Sequence, residues 1–130
     1  MEPEFVADPE LRPIVEELKA REPLFHRPEF GTTRIDFENM MDGAFWEIGA
    51  SGRRYSREYV LEVLDARRRD PAPDHWETSD FHCAEIAAGN YLLTYTLRQE
   101  DRLTRRTSIW RKTDAGWKIV FHQGTIVADA

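Results

Sequence analysis

From His75 onward the chain carries four β-prone segments in a row, separated by turn chemistry alone, and this limits the fold more than any other feature. The breaks read Ala88-Gly89-Asn90, Glu100-Asp101-Arg102 and Thr113-Asp114-Ala115-Gly116. Gly, Asn and Asp tolerate the backbone angles of tight reversals and bond their own backbone. Connections this short join antiparallel neighbours and leave no length for crossover helices. The C-terminal half therefore reads as one antiparallel meander.

Counting outward from the last turn assigns faces. A loop at 113–116 pairs Lys112 with Trp117, then Trp110 with Ile119, Ser108 with Phe121 and Arg106 with Gln123. Opposite residues share a face, because side chains alternate with period two. One face carries Trp117, Ile119, Phe121, Trp110, Ser108, Arg106 and Gln123. The other carries Lys118, Val120, His122, Ile109, Thr107 and Arg111. The first is the more aromatic and is expected to face the helices. A turn at Asp101-Arg102 pairs Tyr95 with Ser108 and Leu93 with Trp110, which adds Tyr91, Leu93, Tyr95 and Leu97 to that face. A one-residue slip would bring Thr94 and Thr96 inward instead. For the strand before it the sequence leaves two registers open. One turns Asp80, His82 and Ala84 inward, the other Phe81, Cys83 and Glu85, and a bulge could mix them.

The first half reads helical. Asp8 can cap a helix with Pro9 at its first position, and Leu11, Ile14, Val15, Leu18 and Phe25 recur near helical spacing. Pro23 and Pro28 interrupt or end it. Thr33 and Asp36 form a capping-box pattern ahead of Ile35, Phe37, Met40 and Met41, with a stop at Asp42-Gly43. Ala44–Ile48 is a strand, Gly49-Ala50-Ser51-Gly52 a turn, and Arg53-Arg54-Tyr55 a short return strand. Ser56 caps a third helix with Tyr59, Val60, Val63 and Leu64 on its apolar face, closed by Arg67–Arg69 and Pro71-Ala72-Pro73. The whole is an α+β domain spanning residues 1–130, with helices on one face of a curved sheet.

Composition sets the class. The chain has 130 residues with 24 acids and 18 bases, a formal charge of -6, which disfavours a nucleic-acid backbone as partner. No apolar run approaches the ~20 residues of a membrane helix. The acidic start Met1-Glu2-Pro3-Glu4-Phe5 lacks the pattern of a signal peptide. A cytoplasmic protein without membrane or nucleic-acid partners is the expectation. The single Cys83 excludes an internal disulfide and a cysteine-built zinc site. The histidines show no metal-ligand spacing, so no metal and no cofactor is expected.

Three segments then stand out: Phe45-Trp46-Glu47-Ile48-Gly49-Ala50-Ser51-Gly52-Arg53, Ser108-Ile109-Trp110-Arg111 and Gly116-Trp117-Lys118-Ile119-Val120-Phe121-His122-Gln123-Gly124-Thr125. They resemble the domain of unknown function 4440, within the nuclear transport factor 2-like, SnoaL-like superfamily. The match in element order runs from about Leu11 to Thr125. The resemblance implies a cone-shaped, cystatin-like fold with three helices packed into a bent, mixed, mostly antiparallel sheet. It implies an apolar pocket at the open end and homodimers through the outer sheet face, where Val120, Ile109 and His122 are expected. The superfamily includes ketosteroid isomerases, polyketide cyclases and dehydratases as well as non-catalytic modules, so activity does not follow from fold.

Candidate residues come from the inner face. Trp46 and Trp110 offer flat apolar walls, and Tyr95, Arg106, Ser108, Phe121 and Gln123 complete the expected ligand-binding set. Apolar walls with a few convergent polar groups describe a small-molecule pocket. They equally describe a core whose polar groups satisfy one another. His82 and Glu47 are the candidates for proton transfer. Each also has a plain structural reading, as a surface histidine and an exposed hairpin acid. Arg106 could bind a ligand oxygen or pair with an acid such as Asp80. Ser51 sits in a hairpin turn rather than a nucleophile elbow, and Cys83 reads as a buried apolar residue. The expected function is binding of a small apolar or cyclic ligand, with cofactor-free isomerase, cyclase or dehydratase-type chemistry. The alternative is a non-catalytic dimerisation or interaction module.

Overall fold

A computed structural model of the chain describes residues 1–71 and 75–128. Its helices are α1 (Arg12–Lys19), α2 (Arg34–Met40) and α3 (Arg57–Arg69). Its strands are β1 (Met41–Ile48), β2 (Arg54–Ser56), β3 (Glu77–Ala87), β4 (Asn90–Gln99), β5 (Arg102–Thr113) and β6 (Gly116–Ile126). They form one sheet in the order β2-β1-β6-β5-β4-β3. β1 and β6 run parallel and the other neighbours antiparallel. Among the described residues no helix is long and apolar enough to cross a membrane.

The expected caps form. Asp8 accepts from the Glu10 amide ahead of a 3-10 turn at Pro9–Leu11, and Ser56 accepts from the Tyr59 amide. Thr33 and Asp36 close a reciprocal capping box. α1 ends at Lys19, so the chain reaches Pro23 and Phe25 as an irregular segment and not as helix. β1 begins at Met41, ahead of the expected stop at Asp42-Gly43. The ending expected at Pro71-Ala72-Pro73 lies partly outside the described residues.

The helices cover a face lined by Leu93, Tyr95, Leu97, Trp110, Trp117 and Ile119, all buried. Tyr91 packs edge-on against Trp117 at 5.5 Å, and Leu18 of α1 and Leu61 of α3 close the core with no more than 1% exposure.

Two register findings correct the counting. The β4–β5 turn is Glu100-Asp101, with Glu100 at φ 51°, so Tyr95 opposes Arg106 and Leu93 opposes Ser108. This shift is two residues, which leaves every side chain on its expected face. The β5–β6 ladder shifts by an odd number. Trp110 opposes Ile119 as counted, but Ile109 then opposes Phe121, so Val120 is an extra residue on β6. A bulge of one residue inverts the faces beyond it. His122 therefore lies inside, opposite Ser108, while Phe121 and Gln123 lie on the outer face. A second bulge falls between Ser79 and His82, with Asp80 at φ 58°. It sets Phe81 against Tyr95 on the inner face, ring centroids 4.9 Å apart. His82 opposes Thr94 on the outer face, and Phe5 of the N-terminal segment lies tilted against it, ring centroids 4.5 Å apart.

Candidate active site

A carboxylate stands at the centre of the inner face. Glu22, from the segment after α1, is 0% exposed. Its Oε1 accepts from the Leu24 amide at 2.8 Å and from the Tyr95 hydroxyl at 2.8 Å. Its Oε2 accepts from the Ser108 hydroxyl at 2.5 Å and from Trp110 Nε1 at 3.1 Å. Four donors fill the four lone-pair directions of an ionised carboxylate. Burial holds the acid above the usual carboxylate range, and these bonds oppose that rise only in part.

His122 continues the chain of polar contacts. Its Nδ1 lies 2.8 Å from Ser108 Oγ, and its Nε2 lies 3.5 Å from Arg106 Nη1. Arg106 also donates from Nε to Thr104 Oγ1 at 2.9 Å. The imidazole is 8% exposed, and burial, then Arg106 and His26, lower its pKa to about 3. It is a neutral ring in the folded chain. Arg106 itself lies across Gly124, its strand partner: a Cβ at that glycine would meet Nη1 at 2.7 Å.

Arg106 and His122 form the floor of a cavity of about 320 Å³ between α3, the segment at Leu24–His26 and the sheet. That is near the lower end of the range for small-molecule sites. Leu24, Phe25, Tyr55, Tyr59, Val60, Val63 and Leu64 line it with apolar surface, and Glu47, Arg106, His122, Arg67 and His26 supply its polar groups. Glu47 reaches the inner face because β1 pairs in parallel with β6, setting it beside His122. Burial raises its pKa against the opposing influence of Arg106 and Arg67. Among the lining residues Glu47 is the one carboxylate.

The residues named from the sequence divide into three places. Glu47 and Arg106 line the cavity. Tyr95, Ser108 and Trp110 lie on the same face but are buried, and each gives its hydrogen to Glu22. Trp46, Phe121 and Gln123 are on the outer face, where Trp46 is 42% exposed and its ring lies 4.8 Å from that of Phe121. His82 is also outside, beneath Phe5. The expected outer position of His122 is corrected to an inner one by the bulge at Val120.

Sequence reading missed Glu22 and His122. A signal for the first was present: Tyr95, Ser108 and Trp110 are three donors on one buried face, and together they require an acceptor from another element. Nothing local singled out Glu22 among the chain's acids. His122 was hidden by a bulge that period-two counting does not see.

No protein-family model matches the sequence, and no match is found among curated proteins. Solved structures do match. An NTF2-like protein from Cytophaga hutchinsonii superposes with TM-score 0.69 at 15% identity, covering 88% of this chain and 95% of its own. A candidate dehydratase of the NTF2-like family from Streptomyces avermitilis gives TM-score 0.70 at 16% identity, over 88% and 96%. A candidate ketosteroid isomerase from Parabacteroides distasonis gives 0.60 at 19%, over 99% and 96%. This chain has the nuclear transport factor 2-like, cystatin-like fold.

Proposed function

We propose that the chain binds a small, largely apolar carbonyl compound in this cavity and moves a proton on it without a cofactor. Glu47 is the base that takes a proton from the carbon next to the carbonyl. Arg106 holds the oxygen on which the resulting negative charge collects, where a charge-assisted bond is strongest. The observation that carries the reading is the pairing of one carboxylate with Arg106 in a cavity that also has a broad apolar wall, with burial raising the acid toward the working range of a general base. The isomerase and dehydratase descriptions of two fold neighbours agree with this class. The narrower kinship with the domain of unknown function 4440 rests on the three sequence segments and brings no activity with it.

The test is solvent deuterium exchange at the α-carbon of a panel of cyclic ketones, with and without a β,γ double bond. Wild type should accelerate exchange for part of the panel, and Glu47→Gln should lose ~10²–10⁴-fold of that acceleration. No acceleration over buffer for any member, or equal rates in Glu47→Gln, contradicts the assignment.

We also propose that a second copy of the chain covers the outer sheet face. Trp46, Ile109 and Phe121 adjoin there through the β1–β6–β5 pairing, and Trp46 leaves much apolar surface in water.

A further inference from the structure

Hydrogen-bond roles between the cavity and the core are fixed by elimination. A guanidinium only donates, so Nε2 of His122, 3.5 Å from Arg106 Nη1, accepts. The ring hydrogen then sits on Nδ1, 2.8 Å from Ser108 Oγ. The Ser108 hydroxyl is left to donate to Glu22 Oε2 at 2.5 Å. The bonds run one way, from the cavity wall to a carboxylate with no exposed surface.

We propose that His122, Ser108 and Glu22 form a proton relay that receives a proton from a hydroxyl or enol group of the bound ligand and stores it on Glu22. The proposal deepens the function above, because it takes the cavity to be the ligand site. In the step, the Arg106 Nη1 hydrogen bond leaves Nε2 of His122 for the ligand oxygen, the ligand O–H bond breaks and its proton joins the freed Nε2 lone pair. The Nδ1 proton passes to Ser108 Oγ, and the former hydroxyl proton of Ser108 passes to Oε2 of Glu22. The ligand oxygen keeps the electron pair of the broken bond, and its charge lies beside Arg106. The imidazole ends neutral with its hydrogen moved to Nε2, Ser108 is again a hydroxyl, and Glu22 is a carboxylic acid. Running the relay backward returns a proton to the ligand.

The surroundings favour this route over an imidazolium. Burial, Arg106 on β5 and His26 beside α3 all disfavour charge on the ring. Glu47, its neighbour on β1, and Arg67 on α3 complete the charges facing the cavity. At the other end, burial favours the neutral form of Glu22. The Tyr95, Trp110 and Leu24 donors stay in place when the Ser108 bond reverses. The relay lets a ring that does not charge near neutral pH act as a base.

Ring-nitrogen NMR on ligand-free, nitrogen-15-labelled protein tests it, with the His122 signals assigned by their loss in His122→Gln. Near neutral pH the hydrogen should be on Nδ1. As pH falls, the two nitrogens should exchange roles in one step while the ring stays neutral. The carbonyl infrared band of a buried carboxylic acid should grow in at the same midpoint. In Ser108→Ala the exchange step should vanish. A hydrogen on Nε2 near neutral pH, direct charging of the wild-type ring, or an unchanged titration in Ser108→Ala overturns the relay. If Ser108→Ala does not fold, the wild-type tautomer and the infrared midpoint decide alone. No ligand is present, so the result is separate from the ketone assay: a relay without exchange activity contradicts the proposed reaction, and the reverse contradicts only the relay.

Discussion

Ser108 Oγ and His122 Nδ1 lie 2.8 Å apart because Val120 is one residue too many for the ladder between β5 and β6. Without the bulge Phe121 would face Ser108, and the imidazole would lie outside. The extra residue converts an apolar contact into a polar connection between core and cavity.

Glu22 should be the most sensitive single position in the core. Glu22→Ala leaves the Tyr95, Ser108, Trp110 and Leu24 donors without their acceptor. Each buried, unmatched group costs about 1–3 kcal/mol, less whatever water or relaxation returns. A loss above about 3 kcal/mol is expected in chemical denaturation, with a smaller loss for Glu22→Gln, which keeps one accepting oxygen.

Gly124→Ala should separate function from stability. The new methyl would meet the guanidinium end of Arg106, at 2.7 Å from Nη1, and not backbone. Arg106 must swing away, and the oxygen site goes with it. Melting temperature should change little, while ketone exchange falls by an order of magnitude or more. An unchanged rate would show that the guanidinium position does not matter.

Stability should depend on pH through His122. Its folded-state pKa is lowered from 6.5 to about 3. Below 6.5 the unfolded chain takes a proton that the folded chain refuses, so stability is lost as pH falls toward about 3. The full effect is on the order of 5 kcal/mol. Glu22, raised by burial, acts in the opposite sense and recovers stability as it protonates. The difference between wild type and His122→Gln, followed by denaturation across this window, isolates the histidine. Parallel curves would contradict the neutral buried ring.

The outer patch should govern association. Trp46→Glu or Phe121→Glu places a charge on the exposed face of the β1–β6 pair. Light scattering should show a dimer for wild type and monomers for the variants. A monomeric wild type would remove the outer face as an interface.

Element order was legible because caps and turns are local: Asp8, Thr33 and Ser56 each start a helical segment as their side chains predict. Faces were legible only while the ladder stayed regular. The two-residue shift at Glu100-Asp101 cost nothing, whereas the single extra residue at Val120 exchanged His122 for Phe121. Glu47 became a cavity residue through parallel pairing with β6, a contact between segments more than 70 residues apart that no local pattern encodes. Tyr95, Ser108 and Trp110 were assigned to the correct face, but a buried acid from outside the sheet uses their hydrogens.

The most direct measurement is the crystal structure of the protein with 2-naphthol, a flat fused ring bearing one acidic hydroxyl. The ring should lie between Tyr59, Val60 and Leu64, with its oxygen against Arg106 and His122 Nε2. Binding should be abolished by Val63→Trp, which fills the cavity from its exposed wall. A naphthol seated on Trp46 and Phe121, or a cavity left empty at saturating concentration, would contradict the proposed site.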